Sequence, residues 1–405
     1  MRKKRILFVD DETNILSGLK RMLRSMRQEF DLQFAESGKE ALEIMESTEF
    51  DVVVSDMRMP GMDGATLLTE IQKLHPYSIR IMLTGQADEK SILRTVGVVH
   101  QFLAKPCESE HLKAILLRAS ALHELISQDA LKKIITQLGT LPSVPEVYAK
   151  LRKAMANPEI AIAEVAKIIE EDMAMSAKVL QLVNSAFFGL CQKVESPARA
   201  VNFLGLDTVK SLVLGVGAFS QTKTSSKIFP IKQLWSHSLT VGTFAKKIAL
   251  SESDDKELID YCFLAGLLHD IGKLVLVAQM EDKYEQAVLL ARKNNICLRT
   301  AEKEIFDTVH GDIGAYLMGL WGMPGPVVEG IGFHHRLDNY PNRQFNPALA
   351  VHVANAIYYE NRPDEVIGAP HEIAMVHLQA MGLDDKIDHW RELCAESFEQ
   401  DNKDD

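Results

Sequence analysis

Five residues near the start of the chain have the types needed for phosphoryl chemistry: the adjacent Asp10 and Asp11, then Asp56, Thr84 and Lys105. Carboxylates that converge repel one another unless a hard, oxygen-seeking cation such as Mg²⁺ is shared between them. Such a cation also screens an incoming phosphoryl group. Asp56 is the candidate nucleophile, because a carboxylate forms an acyl phosphate; Lys105 balances its charge, and the Thr84 hydroxyl donates to its oxygens. A second constellation stands far downstream in FLAGLLHDIGKL, residues 263–274. There His269 and Asp270 lie side by side on a stretch carrying Leu264, Leu267 and Leu268, followed by Gly272 and Lys273. These twelve residues alone leave two readings open, metal ligands or a packed and hydrogen-bonded pair.

The elements that must position the first set are legible. Five short apolar runs, Arg5–Val9, Asp31–Ala35, Asp51–Ser55, Ser78–Leu83 and Val98–Leu103, alternate with helical spacings such as Ile15-Leu19-Met22-Leu23 and Ala41-Leu42-Met45. That alternation predicts a doubly wound α/β domain, a five-stranded parallel sheet with helices on both faces. Ligands in such sheets bind beyond the carboxyl ends of the strands. The polar residues fall there: Asp10 and Asp11 end the first run, Asp56 the third and Thr84 the fourth, and Lys105 follows the fifth. The segments FVDDE, SDMRMPGMDG, MLTG and FLAKP make residues 3–122 resemble a response-regulator receiver domain. The resemblance implies phosphorylation of Asp56 by a partner histidine kinase, with Mg²⁺ held by Asp10, Asp11 and Asp56. It also implies that Thr84, Phe102 and Lys105 form the switch, with a cis peptide at Pro106. Phe102 occupies a position often held by tyrosine, so a switch there works through ring packing without a phenol hydroxyl.

From Glu108 to Leu138 no proline or glycine interrupts the chain, and Leu112, Ile115, Ala119, Leu122 and Ile126 recur in steps of three and four. One helix is predicted to run out of the first domain through a linker at 123–140. Its apolar seam lasts about two heptads, less than a coiled coil needs, which favours packing against its own chain and leaves a homodimer open. Gly139, Pro142 and Pro145 mark the boundary. Beyond it nearly every segment has helical spacing, so residues 141–395 are expected to form an all-α domain, with a polar, disordered tail at 396–405. The chain is therefore multidomain.

LPSVPEVYAKL, IIEEDMAMSAKVLQLVNSAFFG and ARAVNFLGLDTVKSLVLG, in that order, are similar to the opening of the HDOD family, the HD-related output domains of bacterial signalling, over about Leu138 to His335. Within them Asn184 and Ser185 read as turn residues and Gly189 as a terminator. HD-type resemblance implies one metal site collected from several helices: His237, His269 with Asp270, His310, the pair His334–His335, and Asn355 where an aspartate is expected. Imidazoles with one carboxylate suit iron, manganese or zinc. Lys273, one turn beyond Asp270, is the candidate phosphate contact. HHRLDNYP, residues 334–341, is a frayed likeness of the HD-GYP signature of cyclic di-GMP phosphodiesterases. Three departures weaken the likeness. Asn355 is neutral, Gln233 stands one turn before His237 where those enzymes place a glutamate, and Arg336 follows the histidine pair where they place an acid. Fewer anionic ligands hold a divalent ion less tightly and leave hydroxide formation at the metal in doubt. The other histidines (75, 100, 111, 123, 352, 371, 377 and 389) read as packed or exposed.

A net charge of −11 gives no broad basic face for nucleic acid, and no helix-turn-helix is recognisable. The apolar run Ile6–Val9 is too short for a signal-peptide core, and no stretch reads as a membrane span. Five scattered cysteines suggest reduced thiols, so a cytoplasmic location is expected. The leading reading is a two-component response regulator whose helical output domain acts on an unknown downstream protein through contacts. The alternative is a metal-dependent phosphodiesterase acting on a cyclic dinucleotide.

Overall fold

The computed structural model describes residues 3–84, 95, 98–107, 109–110, 112–117, 135–136, 142–143, 145–155, 157, 160–184, 194–215, 220–221, 231–340, 344–369 and 372–401. The N-terminal part is the expected parallel sheet: β1 (Lys4–Val9), β2 (Phe30–Ala35), β3 (Val52–Asp56), β4 (Ile79–Thr84) and β5 (Gln101–Ala104), in the order β2-β1-β3-β4-β5. All five are parallel, with Phe8 opposite both Phe34 and Val54, and Met82 opposite Phe102. The central strands are buried throughout, because helices cover both faces. The helices α1 (Thr13–Met22), α2 (Gly38–Ser47) and α3 (Gly64–Leu74) are placed by local signals. The Thr66 amide donates to the Asp63 side chain at 2.7 Å, capping α3. Gly64 has a tertiary reason: a Cβ there would lie 2.0 Å from the Asp56 carbonyl oxygen, so only glycine lets α3 start against the end of β3.

After β5, residues 112–117 are helical, with Leu112 and Leu116 buried, and helix reappears at 135–136. Most of the expected long linker helix lies outside the described residues, as do Ser185, Gly189, His111, His123 and His371. Residue 136 is nonetheless anchored. The Arg80 guanidinium, 1 % exposed, donates to the Thr136 carbonyl at 2.5 Å and to Val98 and Ser78 carbonyls at 2.7 and 3.0 Å. His100 Nδ1 accepts the Arg80 amide at 2.9 Å, so its Nε2 carries the hydrogen and donates to the same Thr136 carbonyl at 2.9 Å. Burial pushes the Arg80 pKa down to about 10.

The C-terminal part is helical, apart from a two-residue parallel bridge between Pro142–Ser143 and Ser220–Gln221. Its largest unit packs the helix Ile231–Glu252 against Lys256–Leu268 and Pro347–Asn361, with Gly325–Phe333 on the far side. Gly242 and Gly266 face each other across the first pair, where a Cβ on Gly266 would meet the Gly242 backbone at 2.7 Å. The helices therefore cross backbone to backbone. One segment, Lys256–Gln279, is long and apolar enough to cross a membrane, but 83 % of its most apolar window is buried inside the domain and it breaks at His269-Asp270. It is a core element. The expected polar tail begins as helix instead: Ile387–Asp401 continues through residue 401. Trp390 and Cys394, one turn apart and fully buried, dock its start, and the Trp390 indole donates to Glu252 at 3.1 Å.

The two parts touch through β5. The Gln101 amide donates to the Gly319 carbonyl at 3.0 Å, and the Gln181 amide approaches the His100 and Val99 carbonyls at 3.2 and 3.4 Å. On the same helix as Gln181, one turn earlier, the buried Lys178 ammonium lies over the Trp321 ring at 5.0 Å from its centroid.

Candidate functional sites

At the carboxyl rim of the sheet, Lys105 Nζ lies 2.5 Å from Asp10 Oδ2 and 2.5 Å from Asp56 Oδ1, bridging the two acids. Burial works against this ammonium, but its bonds to Asp10 and Asp56 outweigh burial and raise its pKa above the ordinary lysine value. The remaining oxygens are held by backbone: the Glu12 amide donates to Asp10 Oδ1 and the Arg58 amide to Asp56 Oδ2, each at 3.0 Å. Asp10 is buried and Asp11 exposed, while Asp56, 7 % exposed, sits beside an open groove of about 440 Å³ that Asp11 and Arg58 help line. The Lys105 amide donates to the Thr84 carbonyl at 2.8 Å, and the Lys105–Pro106 peptide is cis. Thr84 and Phe102 are both buried. This donor set, three carboxylates with one counter-cation, fits a hard divalent cation and a phosphoryl group.

The second site gathers His237, His269, Asp270, His310, His334, His335 and Asn355 from six helices and their ends. His269 closes Lys256–Leu268 and Asp270 precedes Ile271–Gln279; His310 opens its helix, and His334 closes Gly325–Phe333. Gly272 explains the glycine after His-Asp: a Cβ would lie 2.0 Å from the His310 carbonyl oxygen, so glycine lets the two chain segments meet. Nε2 of His237 is 3.2 Å from Nε2 of His269, and Nε2 of His310 is 3.4 Å from that of His334. Asp270 oxygens lie 3.3 to 3.5 Å from the Nε2 atoms of His237, His269 and His310.

The tautomers follow from the other ring nitrogens. His269 Nδ1–H donates to the Gly266 carbonyl and His334 Nδ1–H to the Ile331 carbonyl, each at 2.7 Å and three residues back. Both Nε2 atoms are then lone pairs aimed inward. Burial holds His237, His269 and His334 below the ordinary histidine range, in the neutral form that ligates metal. Burial opposes ionisation of Asp270, but among its neighbours His269, Lys273, His310 and His237 the Lys273 ammonium holds its carboxyl well below the usual range. Lys273 is the fixed positive charge among them, with Nζ 2.7 Å from Asp270 Oδ2. Burial also opposes the Lys273 ammonium, and Asp270 more than compensates.

The residues fit a metal. Neighbouring ligands bonded at about 2.1 Å stand roughly 3.0 to 3.4 Å apart across angles between the square and the tetrahedral, and the inward donor atoms have that spacing. Asp270 Oδ1 and Asn355 Oδ1 are buried without a hydrogen-bond partner. Neutral nitrogens facing one another around orphaned oxygens form a cage for a cation. A cavity of about 410 Å³ leads to it, lined by Gln233, Lys273, Arg292, Arg299 and Asn355 among others. Arg336 stays out of it, pairing with Asp312 and the Gly332 carbonyl and stacking on Phe333. His352 is a packing histidine: its Nδ1–H donates to the His334 carbonyl at 2.8 Å, and its Nε2 accepts the Ala374 amide.

Residues 6–117 match the family model for the response regulator receiver domain, and residues 141–337 match that for the HDOD domain. The chain is a receiver–HDOD protein. Its receiver domain carries the aspartate site and its HDOD domain the histidine pocket. Among curated relatives, an uncharacterized protein of Treponema pallidum is 28 % identical over 217 residues, covering 54 % of this chain and 42 % of the relative. The transcriptional regulatory protein GlrR of Escherichia coli is 36 % identical over 108 residues, 26 % of this chain and 24 % of that one. The chain spans less than half the length of these relatives. Among solved structures, the MmoQ response regulator of Methylococcus capsulatus has a TM-score of 0.49 at 21 % identity, covering 63 % of this chain and 98 % of that one. An HDOD domain protein of unknown function from Geobacter sulfurreducens has a TM-score of 0.39 at 24 % identity, covering 72 % and 96 %.

Sequence reasoning missed two groups of residues. Gln101 and Gln181 join the domains by bonding backbone carbonyls, which leaves no motif. Glu302, buried beside His310, did leave a signal, an acid between Leu298 and Phe306 on the core stripe of its helix.

Proposed function

We propose that this response regulator is switched by phosphorylation of Asp56, with Mg²⁺ held by Asp10, Asp11 and Asp56, and that its HDOD domain signals through protein contacts. A histidine kinase supplies the phosphoryl group, and the receiver presents Asp56 for transfer. The observation that carries the reading is the position of β5. The strand holds Phe102, one of the switch residues, and its flank at Val99, His100 and Gln101 is bonded to Gln181 and Gly319 of the HDOD domain. A movement of Thr84 and Phe102 toward a phosphorylated Asp56 pulls directly on those bonds. Intact-mass measurement with a small phosphodonor and Mg²⁺ tests the first step. One added phosphoryl group, abolished by Asp56→Asn, is expected; its persistence in the variant sinks the assignment.

The histidine pocket favours a second reading, a divalent-metal site of iron, manganese or zinc held by His237, His269, Asp270, His310, His334 and His335. Bound there, a metal supplies Lewis acidity and an activated water. Lys273 holds Asp270 in place, and Arg292 and Arg299, alongside Asp364 and Glu365, line the cavity and offer guanidinium donors to a phosphate diester such as a cyclic dinucleotide. Robust hydrolysis of a cyclic dinucleotide by the unaltered protein, lost in His269→Ala, makes the HDOD domain an enzyme; metal binding without turnover leaves the contact reading in place.

A further inference from the structure

Glu302 is fully buried on the helix Leu298–Phe306, and it does not line the cavity. Its Oε2 accepts two bonds from one residue, the backbone N–H of His310 at 2.9 Å and the ring Nδ1–H at 2.6 Å. Two bonds to one residue fix both the start of the His310 helix and the plane of the imidazole. The His310 Nε2 is thereby left as a lone pair, 3.3 Å from the orphaned Asp270 Oδ1 and 3.4 Å from His334 Nε2.

A glutamine at this position would accept the same two bonds without placing a charge in the core. A buried carboxylate costs several kcal/mol more than a neutral group unless a positive charge answers it. Lys273, the buried ammonium of the pocket, has its short contact with Asp270. The pocket and its support thus hold two buried carboxylates, Asp270 and Glu302, and Glu302 is coupled through the His310 ring to the donor cage.

We propose that Glu302 is a positioning residue for a divalent cation in the histidine pocket, supplying through His310 the negative charge that Gln233 and Asn355 do not. The proposal rests on the reading of the pocket as a metal site. A carboxylate behind a ligating imidazole fixes its tautomer and raises its basicity, and loss of such a partner weakens metal affinity by about 10- to 100-fold.

The full chain, stripped by chelator, is titrated with Co²⁺ by calorimetry and by the visible absorption of the bound ion. Glu302→Gln keeps an acceptor for both N–H groups and removes the charge. It is expected to weaken Co²⁺ binding within that 10- to 100-fold range and to shift the visible bands, with far-UV circular dichroism unchanged. Glu302→Asp, which keeps the charge, is expected to recover part of the affinity. Wild-type binding matched within about twofold by Glu302→Gln would overturn the role of Glu302 while leaving the metal site standing. Absence of Co²⁺ binding to the wild type overturns both. Should Glu302→Gln not fold, ¹⁵N spectroscopy of the metal-free wild type decides: the Nδ1–H tautomer of His310 is required, and the Nε2–H tautomer overturns the proposal.

Discussion

Replacing Lys178 by methionine is expected to stabilise the HDOD domain, and by an amount that depends on pH. Lys178 is 2 % exposed, and burial pushes its pKa down from the ordinary lysine value of 10.5 to about 7. Between those values the folded domain binds fewer protons than the unfolded chain, so wild-type stability rises with pH across the window and the cost of the lysine shrinks. At 1.36 kcal/mol per pH unit, the ionisation cost is about 4 kcal/mol near pH 7 and about 2 near pH 9. The cation–π contact with Trp321 offsets about 1 kcal/mol near pH 7, where the folded-state lysine is still partly charged, and almost nothing near pH 9, where it is neutral. The gain from Lys178→Met should therefore fall by about 1 to 2 kcal/mol between the two pH values. The three tryptophans, Trp235, Trp321 and Trp390, all lie in the C-terminal helical part, so their fluorescence during urea unfolding reports that part alone. Equal gains at the two pH values, or a destabilised variant, would refute the argument that burial of this ammonium governs its energetics.

Gly272→Ala should push the Ile271–Gln279 helix away from the His310 backbone, lowering stability by about 1 to 3 kcal/mol and reducing Co²⁺ uptake in the same titration; unchanged uptake would show that the pocket tolerates the shift. The pair Gln101→Ala and Gln181→Ala removes interdomain bonds worth about 1 kcal/mol each, and limited proteolysis should then separate the domains faster. The pair Asn355→Asp and Gln233→Glu adds carboxylates to the cavity lining and should raise the metal content of the purified protein, read by elemental analysis.

The sheet and the aspartate site were legible because a buried parallel strand is a continuous apolar run, and its chemistry sits where the run ends. Asp10, Asp56, Thr84 and Lys105 could be placed before any coordinates. The histidines were legible only as a resemblance, since His237 and His334 are distant in sequence and the glycines that let their helices close, Gly242, Gly266 and Gly272, show no periodicity of their own. The charge around the site was only partly legible for the same reason. Asn355 and Gln233 stand at positions with a known pattern, whereas Glu302 acts through His310 from a helix that carries no motif. The helix through residues 396–401 was hidden as well, because it is held by Trp390 and Cys394 one to two turns earlier and local composition is polar.

Hydrogen exchange of the full chain, before and after phosphorylation of Asp56, tests the central claim most directly. Phosphorylation is predicted to speed amide exchange in β5 (Gln101–Ala104), in Met173–Val183, which carries Gln181, and in His310–Leu320, which carries Gly319. The change should vanish in Asp56→Asn. Stoichiometric phosphorylation that leaves exchange in both HDOD helices unaltered would contradict transmission through β5.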